Sequence, residues 1–378
     1  MRILLISEFF PTSVDGDFTG GVEARTFFIA RELARKHDII VICSDTGGKR
    51  YEKMMGFTIF RVGPKRVHTS GFDVTRLLYI LSAIWKGKTV RSDIVEGTNF
   101  INQLIAYCIG KLQKTPIVAW TPDVWRGQWR KNMGFVGGVI GNLIESFNLC
   151  HRDINYIAIS KTVAKKMYAV GVPKKLITVI PCGVDYKEIQ KIGVKKYRKP
   201  VVSIVCRLVK YKNVDILIRA FGLLAQKNKA CTLQIVGQGP EKNNLERLTQ
   251  ELNIANRTRF VGFIPKHRDV LKKLSKSYLF CLPSETEGFG IVTVEAMAMG
   301  LPVVLADIAI NREVTEEKGV LFFKPSNYHD LFQKLSLLMT NHKHYASLSK
   351  AARQQARKYD WVDIAKKTEA FYASLCAY

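Results

Sequence analysis

The sequence is short of negative charge. Among its 378 residues, 58 lysines and arginines stand against 32 aspartates and glutamates, for a formal charge of +26. An excess of this size favours anionic partners: nucleotide phosphates, acidic lipid headgroups or nucleic acid. No nucleic-acid-binding module and no basic tail occurs, and the charge is spread over both halves, so nucleic acid is not an expected partner. An anionic membrane surface fits better, beside the plain alternative of a solvated basic surface. Long apolar runs are also missing. None reaches the length of a membrane span. Residues 1–7 are too short for a signal peptide and read as a first strand. The expected location is cytoplasmic, with any membrane attachment peripheral and at the inner face. Paired cysteines are absent too. The eight cysteines show no Cys-x-x-Cys spacing, and Cys43, Cys206 and Cys281 fall in apolar strands. That suits buried thiols in a reducing compartment, and neither a disulfide framework nor a zinc site. The seven histidines make no metal-ligand pattern, and His267, His342 and His344, in polar helical stretches, read as structural or surface side chains. Two nucleotide fingerprints are missing as well. No tight Gly-x-Gly-x-x-Gly turn follows the first strand, and Gly110-Lys111 runs into Leu112 without a Walker-A lead.

What the chain does have is regular alternation of strand and helix. At 47% apolar residues it can bury real cores, and its length suffices for two domains. Strands are expected near 3–7, 38–43, 58–62, 93–96, 116–120, 156–160 and 177–181, with helices near 22–36, 100–112, 138–149 and 162–170. This order predicts an α/β fold, a parallel sheet with helices on both faces. Residues 186–200 are polar and basic and read as an interdomain linker. A second domain opens with a strand at 201–206. Helices near 328–358 and 361–373 end the chain.

The most informative stretch is 282–304. An apolar strand ends at Pro283-Ser284, Glu285 and Glu287 sit in the turn, and Gly288 and Gly290 free the backbone around Phe289. A helix follows from Ile291 to about Met299, with Gly300 as its stop. A carboxylate and two glycines thus meet a helix N-terminus at the C-terminal end of a strand, where open α/β sheets bind ligands. Glu287 and Glu295 are suited to neighbouring hydroxyls, which donate to carboxylates. The helix N-terminus suits phosphate oxygens. A sugar on a nucleotide diphosphate carries both kinds of group. Either glutamate alone would pass for an acid in the first turn of a capped helix.

Other loops add to this. The loop 9–23 ends in Gly20-Gly21 at a helix start, where backbone N–H groups can touch phosphate or sugar. Asp123 follows an apolar strand and serves equally well as a cap or turn residue. Arg207 and Lys212 flank a loop feeding a helix, and two cations with free amides can neutralise a diphosphate leaving group. Residues 76–91 are apolar with basic ends. They fit a core helix, or an interfacial helix with Trp85 and Tyr79 at headgroup depth. Residues 134–150, behind Arg126, Arg130 and Lys131, are a second segment of this kind.

In this order the motifs resemble retaining nucleotide-sugar glycosyltransferases of the family-4 type, the glycosyl transferases group 1. Glu287 through Glu295 resembles the E-x7-E signature of that family. Arg207-Leu208 with Lys212 and Asp215 matches Arg-Leu-x-x-x-Lys-Gly-x-Asp, with Asn213 in place of the glycine. Gly20-Gly21-Val22-Glu23 matches Gly-Gly-x-Glu, and Val236 to Pro240 matches Val-Gly-x-Gly-Pro. Ile180 to Asp185 matches Ile-Pro-Asn-Gly-Val-Asp, with Cys182 as a small, semi-buried substitute for the asparagine. The family's His-Asp pair is here Pro122-Asp123, so the histidine's role has no occupant.

The resemblance implies the GT-B fold: two Rossmann-like domains facing across a cleft. Residues 1–190, with a returning helix 361–378, would form the acceptor side, and 200–358 would bind the nucleotide sugar. Trp361, Ile364 and Phe371 would pack the returning helix on the first domain. It implies transfer of a hexosyl unit, with retention, from a nucleotide diphosphate sugar to a hydroxyl of a glycan or lipid-linked acceptor. By resemblance Glu287, Arg207, Lys212 and Asp123 form the catalytic set. Gly20, Gly21, Gly237, Gly262, Phe263, Phe289, Gly290, Ile291 and Glu295 bind the donor, with Glu295 on the ribose and the Phe289 and Gly290 amides on the sugar. No metal or other cofactor is expected, because lysine and arginine take the place of magnesium. A non-catalytic nucleotide-sugar sensor, or a partner subunit of a transferase, is the alternative that the missing histidine favours. An epimerase lacks the E-x7-E block, and a phosphorylase needs a pyridoxal lysine that the sequence does not identify.

Overall fold

The computed structural model describes residues 1–14, 17, 18, 20–66, 73–193 and 200–376. Residues 15, 16 and 19 of the first loop and residues 194–199 of the expected linker lie outside the described residues, as does the side chain of Lys131. The chain divides into two compact units, Met1–Cys182 with Trp361–Tyr378, and Gly183–Asp360.

In the first unit, strands β1 (Arg2–Ile6), β2 (Asp38–Asp45), β3 (Tyr51–Met54), β4 (Phe57–Lys65), β5 (Ile94–Thr98), β6 (Ile117–Thr121), β7 (Ile154–Ala158) and β8 (Ile177–Val179) form one sheet. The helices are α1 (Gly21–Leu33), α2 (Val74–Thr89), α3 (Asn99–Gln113), α4 (Trp129–Cys150) and α5 (Lys161–Ala169). The strand order is β3-β4-β2-β1-β5-β6-β7-β8, and all pairs are parallel except β3 with β4. The central strands are covered on both faces, which is why β1 and β2 read as nearly unbroken apolar runs, while β5 buries Glu96 and Thr98 beside Ile94 and Val95. Leu4, Ile6, Ile40, Ile42 and Val95 meet Tyr79 and Ala83 of α2 and Ile105 and Ile109 of α3 in one core. The antiparallel β3 was not expected. It is an edge strand joined to β4 by Met55-Gly56, both at positive φ (47° and 91°), the geometry of a two-residue hairpin.

The second unit holds strands β9 (Val201–Val205), β10 (Thr232–Val236), β11 (Thr258–Gly262), β12 (Leu279–Leu282), β13 (Val303–Ala306) and β14 (Val320–Phe323). Its helices are α6 (Tyr186–Ile192), α7 (Val214–Lys227), α8 (Lys242–Glu251), α9 (His267–Leu274), α10 (Ile291–Ala298), α11 (Ala309–Thr315), α12 (Tyr328–Thr340) and α13 (His342–Ala356). The sheet runs β11-β10-β9-β12-β13-β14, all parallel. The stretch expected as linker therefore opens with α6, capped by Asp185 and anchored by Gln190 on the carbonyl of Ala298. Its polar composition belongs to a surface helix of about two turns that buries only Ile189. Where the chain enters and leaves this unit, Val184 N–H donates to the Tyr359 carbonyl at 2.7 Å.

The last helix, α14 (Trp361–Cys376), returns to the first unit. Trp361 stacks on Phe28 of α1, with centroids 5.4 Å apart. Its buried stripe is Trp361, Ile364, Ala365, Thr368 and Tyr372, and Phe371 is only partly covered. At 3.6 residues per turn, position 372 is nearly in phase with 361 and position 371 is not, which corrects Phe371. The Tyr372 hydroxyl donates to Glu96 on β5 at 2.5 Å, and the Arg25 guanidinium of α1 grips both oxygens of the same carboxylate. All three are buried, so one charge pair and one phenol pin the chain's last helix to its first.

Helix α2 separates the two readings of its segment residue by residue. Tyr79 is fully buried and donates to Asn102 Oδ1 at 3.0 Å, so it does not lie at headgroup depth. Val74, Leu77, Leu78, Leu81 and Trp85 form an outward stripe at helical spacing, with Trp85 72% exposed. Helix α4 starts at Trp129, ahead of the expected 138, breaks its helical geometry at Gly134, and exposes Phe135, Val136 and Leu143.

Candidate active site

The order of the second sheet places the candidate residues. From β9 the chain moves outward to β10 and β11, and later crosses to β12 on the other side of β9. The loops leaving the C-terminal ends of β9 and β12 therefore diverge to opposite faces. The crevice between such loops is the usual ligand position in an open α/β sheet. Arg207 and Lys212 lie in the loop after β9, and Glu287 in the loop after β12. Backbone bonds hold the two loops together: Glu285 N–H donates to the Tyr211 carbonyl at 3.1 Å.

Lys212 Nζ donates to Glu287 Oε1 at 2.5 Å across that point. Both side chains are largely covered, at 14% and 10% exposure. Burial alone would favour neutral lysine. The charge and hydrogen bond of Glu287 outweigh it and raise the Lys212 pKa above the ordinary lysine value. Arg207 is exposed. Asn213, which stands where the family has glycine, has φ 50° and ψ 40°. Asparagine is one of the few side chains that tolerate this left-handed geometry, so the turn survives the exchange.

Glycines shape the neighbouring turns. Gly237 has φ +134°, and a Cβ there would come within 1.9 Å of the Cys206 carbonyl oxygen. The loops after β9 and β10 interlock at this point, with Leu208 N–H donating to Gln238 O at 2.9 Å. Gly237 N–H donates in turn to the Gly262 carbonyl at 2.9 Å. Phe263, next in sequence, is 40% exposed. Phe289 is buried, its ring edge-on to Tyr359 at 5.3 Å, which leaves only its backbone for a ligand. Gly290, in the left-handed region, caps α10, and the N–H groups of Ile291 and Val292 belong to the helix's first turn, where no intrahelical acceptor exists.

Glu295 lies inside α10 and is 3% exposed. Its Oε1 meets Nε2 of His267 at 2.7 Å, while its Oε2 has no hydrogen-bond partner. Ser284 Oγ and Thr293 Oγ1, on the same loop and helix, are also buried without partners. His267, read from sequence as a structural or surface side chain, is mostly covered and paired to a candidate ligand-binding glutamate. Burial opposes its charge, but Glu295 and then Asp185 outweigh it and raise its pKa.

The other candidates lie in the first unit. Gly20 and Gly21 are exposed at the start of α1, at the C-terminal side of β1. Asp123 follows β6 and accepts from its neighbour Val124 N–H at 2.8 Å and from Lys166 Nζ at 2.6 Å. Nearby, Glu145 is buried and accepts from Trp125 N–H and Trp129 Nε1, and burial raises its pKa. Cys182 is fully buried, more so than expected, and burial pushes its thiol up to about 12. Among the described residues, no group of three His, Cys, Asp or Glu side chains is placed to hold a metal, and no helix is long and apolar enough to cross a membrane.

The chain is similar to known proteins over both of its units. The description "Glycosyl transferases group 1" matches residues 185–355, and "Glycosyltransferase Family 4" matches residues 19–188. The chain belongs to the group 1 glycosyltransferases. An uncharacterized glycosyltransferase of Haemophilus influenzae is 34% identical over 44% of this chain, and the match spans 46% of that protein. The gpi3 subunit of the phosphatidylinositol N-acetylglucosaminyltransferase of Schizosaccharomyces pombe is 25% identical over 95% of this chain and 78% of its own. The Anabaena protein HepE, solved in complex with UDP and glucose, aligns with a TM-score of 0.77 at 20% identity, over 99% of this chain and 100% of HepE. That structural likeness carries the fold, which is GT-B.

Proposed function

We propose that this group 1 glycosyltransferase moves a hexosyl unit from a nucleotide diphosphate sugar to a hydroxyl acceptor, with retention of anomeric configuration. The observation that carries the proposal is the Lys212–Glu287 pair at the switch point of the second sheet, next to the open first turn of α10. A diphosphate entering there replaces a carboxylate as the partner of Lys212. Arg207, Lys212 and the α10 amides stabilise the departing charge, and Glu287, released from the pair, accepts sugar hydroxyls with the backbone of Phe289 and Gly290. Glu295 takes the ribose, and the backbone at Gly237, Gly262 and Phe263 takes the base. Gly20, Gly21 and Ile291 are assigned to the donor, and Asp123 to the acceptor side or the transferred sugar. The C1–oxygen bond to the diphosphate breaks, the acceptor oxygen attacks the same face, and its proton passes to the departing phosphate oxygen. HepE, solved with UDP and glucose, supports a nucleotide-sugar donor. The reaction is expected to run without metal, the cations and amides bearing the diphosphate charge. NMR of the product should show the donor's anomeric configuration, and EDTA should leave the rate unchanged. An inverted product, or a rate abolished by EDTA and restored by magnesium, would overturn these parts of the reading.

The acceptor is proposed to be lipid-linked and met at an anionic membrane. The S. pombe relative, a subunit named for a phosphatidylinositol N-acetylglucosaminyltransferase, supports a lipid acceptor. The outward stripe of α2 supports contact with a bilayer. It is apolar, ends in a 72% exposed tryptophan, and is followed by Lys88 and Arg91, both exposed. Burying a side chain of this size contributes roughly 1.5–3 kcal/mol. Replacing Leu81 by Asp and Trp85 by Ser should therefore lower partitioning onto phosphatidylglycerol vesicles by about tenfold or more. Equal sedimentation of wild type and variant would remove α2 from the membrane face.

A further inference from the structure

We propose that His267 is a positioning residue for the donor nucleotide: its imidazole fixes one oxygen of Glu295 so that the other stays open to the ribose hydroxyls. This rests on the assignment of Glu295 to the ribose.

The two oxygens of Glu295 have different surroundings. Oε1 lies 2.7 Å from His267 Nε2, and Oε2 is buried with no hydrogen-bond partner. A buried acceptor without a donor is costly and is normally satisfied, so the open oxygen is suited to a donor from a ligand. Ser284 Oγ and Thr293 Oγ1 are unpartnered on the same strand-loop-helix segment, so three buried polar atoms there lack a protein partner. A ribose edge supplies the hydroxyls that such atoms take up.

The placement of His267 follows from packing. It is the first residue of α9, and α6 packs against both α9 and α10. Arg268, its neighbour, is turned away and pairs with Glu188 of α6 at 3.1 Å. The cation left facing Glu295 is the imidazole. Two carboxylates, Glu295 and Asp185, favour its charged form. Removing it leaves a buried carboxylate with no donor on either oxygen. Such a group takes up a proton or turns to a new partner, and in either case its fixed acceptor is lost.

The test compares His267→Ala and His267→Gln with wild type. Glutamine keeps an N–H donor at similar reach. The probe is whichever of UDP, GDP, ADP and dTDP binds wild type most tightly, together with its analogue lacking the ribose hydroxyls. His267→Ala should weaken the full nucleoside diphosphate about tenfold or more, should weaken the analogue little, and should raise the KM for the donor with kcat nearly unchanged. His267→Gln should recover most of the loss. Unfolding of each unliganded variant shows that the fold is kept. An equal loss for nucleotide and analogue, or no loss for either, would overturn the positioning role while the donor site stands. Failure of wild type to bind any of the four would overturn both.

Discussion

Replacing Lys212 with alanine should lower kcat/KM for sugar transfer by about a hundredfold to a thousandfold, the cost of removing one preorganised donor from a developing oxyanion. Two effects act in the same direction. The diphosphate loses a cation at the switch point of the second sheet. Glu287, 10% exposed and paired with that lysine, is left as an uncompensated acid at the proposed diphosphate position. Glu287→Gln separates the two, because it removes the pair yet keeps the cation; it should reduce transfer while nucleoside diphosphate affinity holds or rises. Arginine is not a conservative choice here, since its planar fork cannot replace a compact ammonium in a covered site. The sign of the pH effect follows from the raised pKa of Lys212. The ammonium persists below its folded pKa and is lost only as pH rises through that value, above the ordinary lysine range. Lys212 therefore adds no pH dependence in the neutral and mildly alkaline range. A steep loss of nucleotide affinity there would point to another group.

The largest stability effect is expected far from this chemistry. Glu96→Ala should destabilise the first unit by about 3–5 kcal/mol, the usual cost of breaking a buried pair from one side. It leaves the Arg25 guanidinium buried without its carboxylate and removes the acceptor of the Tyr372 hydroxyl. Tyr372→Phe, which removes one neutral donor, should cost about 1 kcal/mol. Replacing both charges by apolar residues, Arg25→Met with Glu96→Leu, should cost less than Glu96→Ala alone. All five tryptophans, at 85, 120, 125, 129 and 361, lie in the first unit. Urea unfolding followed by tryptophan fluorescence thus reports on this unit. If Glu96→Ala unfolds at the wild-type midpoint, the buried pair does not hold α14 in place.

Much of this was legible in the sequence, for physical reasons that differ by element. The loop and helix around Glu287 could be read because its geometry needs glycine at Gly290, at φ +81°, and a stop at Gly300, at φ +73°. The parallel sheets could be read because strands covered on both faces are mostly apolar. What stayed hidden depended on contacts between distant residues. His267 looks like one more polar residue on a basic helix, and its partner is 28 residues away. Tyr79 and Trp85 share an apolar segment, and only packing against α3 shows that one is core and the other surface. The choice of Tyr372 over Phe371 turned on helical phase and on a buried acid that no local pattern announces. β3 is a short edge strand with exposed residues, and its only local signal is one glycine in a two-residue turn.

The most direct test of the central claim is thermal stabilisation of wild type and Lys212→Ala by UDP, GDP, ADP and dTDP and their sugar conjugates. One base series should stabilise wild type clearly and the variant little, which places the diphosphate on Lys212. Equal stabilisation of both proteins, or none by any nucleotide, would contradict a donor site in the second unit.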